Sequence, residues 1–289
     1  MKKKILILGG SGFLGQKLCI QLLENNKLSV TNFDIKQNKS IDKKIKFIKG
    51  DIQNLRKLET QISKHDIIFH FAGISDIEEA SSKPIEVVKK NILSSVQILN
   101  LCVKHKVEKF IFASSIYVYS ANGSFYRISK TTVEDMIQEY HRMFHLNYLI
   151  LRFGSLYGPG APKTNGINKI LYNLKFKKKL IYSGNVKTKR RYIHVDDAAK
   201  ISSKLVKKSF SNKIYNITGK KDIKLLTLLN NLKKEFNVKS KPIFLDIKDE
   251  NHYINTPYTF KPKKDIILKS KNEKIFFEEL TKVYVSLKK

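Results

Sequence analysis

Apolar residues in this chain fall into short continuous runs separated by longer stretches where they recur every three or four positions. The first run, Ile5-Leu6-Ile7-Leu8, stops at Gly9-Gly10-Ser11-Gly12, after which Leu14, Leu18, Leu22 and Leu23 share one helix face. This predicts a buried strand, a glycine turn and a helix. Further strands are predicted at Leu28–Phe33, Ile45–Ile48, Ile67–Phe71, Phe110–Phe112 and Tyr148–Leu151, with long helices over about Pro84–Lys104 and Tyr126–His145. The βαβ repetition implies an α/β fold built on a doubly wound parallel sheet of the Rossmann type.

Beyond Gly158-Pro159-Gly160 the pattern becomes less regular. Short strands are expected at Leu180–Tyr182 and Tyr215–Ile217, and helices near 167–176, 197–207 and 225–236. Residues 1–162 are therefore expected to form the Rossmann domain, and 163–187 with 219–289 a smaller C-terminal lobe. A segment near 188–218 crosses back between them, in which Tyr192-Ile193-His194-Val195 reads as a buried strand that would rejoin the first sheet.

With 289 residues and 42% hydrophobic content the chain can bury a substantial core, which argues against disorder. There is no apolar run of about eighteen residues, and Met1-Lys2-Lys3-Lys4 leads straight into the first strand without a signal-peptide pattern. A cytoplasmic protein without membrane insertion is expected. Cys19 and Cys102 sit in apolar helical patterns with no metal-ligand spacing nearby, so both are expected to be reduced packing residues and no metal site is expected. The 56 Lys+Arg against 25 Asp+Glu give a net charge of +31, which first suggests nucleic acid or an anionic membrane. The lysines are nevertheless scattered over nearly every element, arginine is scarce, and no recognition helix or zinc knuckle accompanies them. No nucleic-acid partner is expected; an attraction to small anionic substrates remains.

The glycine turn carries the first candidate chemistry. Gly9, Gly12 and Gly15 would allow a tight turn, close approach of a pyrophosphate and close helix–strand packing, with the helix N-terminus facing the phosphates. Asp34, nineteen positions past Gly15 at the end of the next strand, can bond an adenosine ribose diol and repels a 2′-phosphate, which favours NAD over NADP. Neighbouring Lys36 leaves the phosphorylated cofactor open. A second constellation is Tyr126-Arg127-Ile128-Ser129-Lys130, in which Tyr126 and Lys130 share a helix face. A lysine cation, together with a nicotinamide charge, would lower the phenol's pKa toward that of a usable general base. Ser114-Ser115 closes the preceding strand at the edge where doubly wound sheets bind ligands. The plainer alternative makes Tyr126 a half-buried aromatic and Ser115 a loop residue. His70 and His194 read as packing residues, and Asp196 and Asp197 as caps of the helix they open.

These residues resemble the extended short-chain dehydrogenase/reductases, the group that includes nucleotide-sugar epimerases and dehydratases. The resemblance runs through GGSGFLG at 9–15, FD at 33–34, GDI at 50–52, HFAG at 70–73, NILSSVQILNLC at 91–102, FIFASSIYVYS at 110–120, YRISK at 126–130, LRFGSLYGPG at 151–160 and RRYIHVDDAA at 190–199. It implies Tyr126, Lys130 and Ser115 as the catalytic set. It implies NAD as cofactor, held by Gly9, Gly12, Phe13, Leu14, Gly15, Asp34, Asp51, Ile52, Phe71, Ala72, Gly73, Asn91 and Lys130. The substrate it implies is a nucleotide-diphosphate sugar, touched by Ser115, Tyr126, Ser155 and Arg190, with Arg190 on the diphosphate. A homodimer joined through the helices near 84–104 and 126–145 and a setting in surface polysaccharide synthesis also follow from it.

Departures from the pattern narrow the reaction. Dehydratases of this group resemble Thr-Asp-Glu where this chain has Ser115-Ile116-Tyr117, so the carboxylic pair that drives elimination is missing and C4 epimerisation through a transient ketone is favoured. Only six residues, Ser120–Phe125, separate Tyr119 from Tyr126, where epimerases carry a longer substrate-gripping loop. Ser155 replaces an asparagine, and Asn251–Tyr258 replaces an arginine-containing segment. The rivals are an NAD(P)-dependent keto-sugar reductase using the same triad and a non-catalytic nucleotide-binding protein on the same fold.

Overall fold

The computed structural model describes residues 2–38, 42–245, 252–255, 266–268 and 275–288. Its strands are β1 (Lys3–Leu8), β2 (Leu28–Asp34), β3 (Lys46–Lys49), β4 (Ile67–His70), β5 (Lys109–Ser115), β6 (Tyr148–Phe153), β7 (Ser155–Tyr157), β8 (Ile181–Ser183), β9 (Lys189–Arg190), β10 (Tyr192–His194), β11 (Lys213–Ile217), β12 (Ile223–Lys224), β13 (Ile243–Leu245) and β14 (Ile266–Leu268). The helices are α1 (Phe13–Leu23), α2 (Leu55–Ile62), α3 (Ile77–Ser82), α4 (Pro84–Val87), α5 (Ser94–Lys104), α6 (Ser124–Phe144), α7 (Gly166–Lys177), α8 (Val195–Lys204), α9 (Leu225–Glu235) and α10 (Phe276–Ser286). No helix among the described residues is long and apolar enough to cross a membrane.

Eight strands form one parallel sheet in the order β3-β2-β1-β4-β5-β6-β11-β14. Both faces are covered, which is why the strands read as unbroken apolar runs rather than alternating ones. Ile5 and Ile7 of β1 join the apolar layer under α1 and α8, whereas Leu6 and Leu8 join the layer containing residues of α2, α5 and α6. Cys19 and Cys102 are buried thiols in these two layers, and burial pushes the Cys19 thiol up to about 12. A third cluster lies in the smaller lobe, where Leu171 and Leu174 meet Leu228, Leu229, Leu232, Leu280 and Val283.

Three expectations need correction. Tyr192–His194 does not rejoin the main sheet but pairs with β7 in a separate two-stranded sheet. The place beside β6 is taken by β11, whose Tyr215 and Ile217 are buried in the core. The chain departs at Gly154, where a Cβ would come within 2.6 Å of Thr218 Oγ1. Second, the run over 84–104 is interrupted by a π-helical turn, Val88–Leu93, between α4 and α5. Third, the cap of α8 is His194, whose ring accepts the Asp196 N–H at 3.2 Å; Asp196 and Asp197 occupy the first turn instead. There Asp196 pairs with Lys17 of α1 at 3.2 Å, tying the two packed helices together. Just beyond α8, buried Lys109 of β5 donates to the Lys207 and Phe210 carbonyls, each at 2.7 Å, and so ties β5 to the turn that follows the helix.

Candidate active site

Strand order reverses between β1, which leads out to β2, and β4, which leads toward β5; this is where an open α/β sheet leaves a crevice at its C-terminal edge. A cavity of about 1290 Å³ opens there and extends toward the smaller lobe. Every expected site residue lines it except Asn91: the glycine turn, Asp34, Asp51, Ile52, Phe71–Gly73, Ser115, Tyr126, Lys130, Ser155 and Arg190 share its wall.

The three glycines act differently. Gly9 has φ +84°, and a Cβ there would lie 2.6 Å from the Ala72 nitrogen, so the turn after β1 can nest against the loop after β4 only without a side chain. At Gly15 a Cβ would lie 2.2 Å from the Gly9 oxygen, which fixes the close packing of α1 on the turn. Gly12 is the N-cap of α1 and supplies no capping side chain; a Cβ there would meet only the Gly9 oxygen, at 3.3 Å. The helix end is therefore a backbone cradle suited to phosphate. Asp34 is held at the end of β2 by the Ser11 N–H at 2.9 Å and the Lys36 N–H at 3.2 Å. Lys36 is exposed and lies off the cavity wall, so the carboxylate faces the cavity without it.

Asn91 lies behind the cavity wall. Its buried amide accepts the Ile74 N–H at 2.7 Å and donates to the Ile74 carbonyl at 2.9 Å and to Ser129 Oγ at 3.1 Å. Lying in the π turn, it ties the loop after β4 to the helix that carries Tyr126 and Lys130.

Ser115, Tyr126 and Lys130 meet at the cavity's inner end. Tyr126 is hydrogen-bonded to Ser115; burial pushes its phenol above the ordinary value, and the Ser115 bond pulls it the other way. The expected lowering of this phenol includes the charge of a bound nicotinamide, which acts in addition to these two effects. Lys130 donates to the Ala113 carbonyl at 2.8 Å, and its ammonium lies 4.6 Å from the Phe112 ring centroid and 5.8 Å from that of Tyr126. Burial lowers Lys130 to about 8 against the pull of Glu134. Behind it a buried network joins four elements: Glu134 of α6 accepts from Ser114 and from Arg152 of β6, and Arg152 donates to Tyr119 at 2.6 Å. Tyr119 in turn donates to Asn216 of β11 at 3.0 Å.

At the lobe end, Arg190 is buried with its guanidinium stacked on Tyr253 at 4.1 Å and bonded to the Lys189 carbonyl at 2.9 Å. No carboxylate among the described residues pairs with it, whereas neighbouring Arg191 is paired with Asp222 at 3.1 Å. Tyr253 and His252 come from the segment noted for lacking an arginine, of which Asn251 and Thr256–Tyr258 lie outside the described residues. His252 and Tyr117 also line the cavity, with the Tyr117 hydroxyl 2.5 Å from His252 Nδ1. Sequence spacing carried no signal for this pair, because 135 positions separate its members.

A doubly wound sheet, a glycine cradle with an acidic strand end beside it and a Ser–Tyr–Lys cluster at the inner end together define a nucleotide-dependent short-chain dehydrogenase-type protein. Residues 5–218 match the profile of the NAD dependent epimerase/dehydratase family, to which the chain belongs, and NAD is its cofactor. The dTDP-D-glucose 4,6-dehydratase of Dictyostelium discoideum is 29% identical over 251 residues, covering 74% of this chain and 58% of that protein. A putative UDP-glucose 4-epimerase of Methanocaldococcus jannaschii is 26% identical, covering 83% and 85%. In fold the chain is similar to UDP-glucuronic acid 4-epimerase of Bacillus cereus, solved with UDP-glucuronic acid and NAD, with a TM-score of 0.82 at 23% identity over 98% of both chains.

Proposed function

We propose that the protein is an NAD-dependent nucleotide-sugar epimerase that inverts C4 of the sugar through a transient ketone. The observation that carries this reading is the convergence of Ser115, Tyr126 and Lys130 on the same cavity wall as the glycine cradle. NAD bound in that cradle would supply a hydride acceptor and donor, and its positive charge would add to the pull of Lys130 on the phenol. Tyr126 would take the proton from the sugar hydroxyl and return it at the end of the cycle, and Ser115 would hold the reacting oxygen. Lys130, anchored on Ala113, favours the ionised phenol. Arg190 and Ser155 receive the diphosphate; a buried guanidinium without a carboxylate partner among the described residues suits an anion.

In this reading residues 1–162 hold NAD and present Ser115, Tyr126 and Ser155 to the sugar nucleotide, the crossing segment near 188–218 supplies Arg190, and the smaller lobe, 163–187 with the described part of 219–289, completes the substrate side. The working form is a dimer built on the exposed apolar residues Ile85, Val88 and Leu93 of one helical run and Ile128, Met136 and Met143 of α6.

The test is NMR analysis of products after incubating protein and NAD with UDP-, GDP-, CDP- and dTDP-sugars. An inverted stereocentre without NADH accumulation, slowed about 10²–10⁴-fold by Tyr126→Phe, is expected. Stoichiometric NADH with a keto product would replace this reading by a net oxidoreductase, and a dehydrated product by a dehydratase.

A further inference from the structure

Lysines that lie scattered along the sequence are gathered by the fold. All strands of a parallel sheet begin at one edge, and here that edge is opposite the cavity. Exposed lysines stand at the entries to five strands: Lys27 before β2, Lys43-Lys44 before β3, Lys64 before β4, Lys106 before β5 and Lys207-Lys208 before β11. Neighbouring entries are fastened together, the Lys3 N–H to the Lys27 carbonyl, the Asp66 N–H to the Lys4 carbonyl and the Glu108 N–H to the Asp66 carbonyl, each at 2.9 Å. Lys109 fixes the last turn by its backbone carbonyls, which leaves the Lys207 and Lys208 side chains exposed. The acids of this edge do not balance the lysines. Asp66 accepts the Lys4 N–H at 2.7 Å and Glu108 pairs with Lys3 at 2.7 Å, so Glu24 and Asp42 are the exposed carboxylates there among the described residues. At the cavity edge, by contrast, lysines share the wall with Asp34, Asp51, Asp76, Glu78 and Glu79.

We propose that this lysine edge docks the protein reversibly on an anionic membrane surface, with the cavity facing away from it. The row runs from β3 to β11, across about 30 Å at the ordinary spacing between strands, which suits many mobile head groups rather than one small ligand. Lysine ammonium groups on flexible stems meet such head groups as point charges. The planar fork of arginine, which reads phosphates and base edges, is represented nearby by Arg142, already paired with Glu139. Phe144, the last residue of α6 and 53% exposed, brings a ring to the same edge, where the boundary between head groups and acyl chains accepts an aromatic. Each lysine brought near an anionic leaflet strengthens binding about fivefold. Docking at the strand entries leaves the mouth of the cavity open to soluble ligands, because it lies at the other end of the strands. The proposal is independent of which reaction the cavity carries out.

The experiment sediments the full chain with vesicles of phosphatidylcholine, alone or mixed equally with phosphatidylglycerol. Binding is expected to the mixed vesicles only, and salt at about 1 M, where the screening length falls to about 3 Å, should release it. Lys43→Glu, Lys44→Glu, Lys207→Glu and Lys208→Glu together should weaken binding about 10²-fold or more, with circular dichroism and NAD binding unchanged. The matched reversal in the smaller lobe, Lys179→Glu, Lys221→Glu, Lys234→Glu and Lys239→Glu, removes the same charge from exposed positions and should weaken binding less than about fivefold. If the four-site edge variant does not fold, its two halves are read separately, each expected to bind about tenfold or more weakly. Absence of binding to the mixed vesicles overturns the proposal, as does an equal loss in the edge and lobe variants, which assigns the attraction to net charge alone. A double-stranded DNA oligonucleotide that strips the protein from the mixed vesicles at equal phosphate concentration overturns it in favour of nucleic acid.

Discussion

Lys130 and His70 show how burial, rather than residue type, sets the chemistry of single side chains here. Lys130 is lowered by burial to about 8, so its charge is present below that pH and is lost above it. Because the cation favours the Tyr126 phenolate, catalysis should fall on the alkaline side through about pH 8. The expected kcat profile loses that limb in Lys130→Arg, whose guanidinium does not titrate in this range. His70 is pushed down to about 3, first by burial and then by the Lys130 charge. Ser95 Oγ donates to the Asn91 carbonyl at 2.5 Å and so accepts the His70 Nε2–H at 2.8 Å, which leaves Nδ1 bare and buried. Since the native pKa lies below the unfolded one, the unfolded chain binds the proton first as pH falls, and stability is lost from about pH 6.5 downward. Between pH 7 and pH 5 the wild-type protein should lose about 2 kcal/mol that His70→Gln does not lose, measured by urea unfolding. The sequence placed His70 correctly as a packing residue, but its tautomer follows only from Ser95 and Asn91.

At the scale of elements, the site depends on how α6 is held against β5 and β6. Glu134 and Arg152 form a nearly buried ion pair, 3% and 12% exposed, with Ser114 and Tyr119 as further partners. Removing only the carboxylate leaves a guanidinium stranded in the core. Glu134→Leu should cost about 3–5 kcal/mol, and adding Arg152→Leu should recover part of that loss because no uncompensated charge remains. Urea midpoints of the two variants at neutral pH check the order. Periodicity predicted α6 and the strands well, since their apolar positions face one or two cores throughout. It missed the π turn at Val88–Leu93, because one extra residue per turn leaves the apolar count unchanged while rotating Asn91 onto Ile74 and Ser129.

For the whole molecule, the unmatched surface lies along α6 and the helical run before it. Ile128, Met136 and Met143 recur at seven- and eight-residue spacing and stay exposed, as do Ile85 and Leu93. Light scattering should give twice the chain mass, and Ile128→Lys with Met136→Lys should give a monomer of unchanged circular dichroism. A monomeric wild-type protein would remove the dimer from the proposed working form.

The local code was sufficient for the Rossmann half: the strand runs, the glycine turn with Asp34 after the next strand, and the YRISK helix are all short-range patterns whose physics is satisfied within one βαβ unit. Tertiary structure alone decided that β11 rather than β10 enters the main sheet, because that choice depends on which strand best fills the open edge of β6. It alone brought Glu134 to Arg152, Tyr253 to Arg190 and His252 to Tyr117, since the loop closures that join such distant positions are governed by packing and leave no spacing to read.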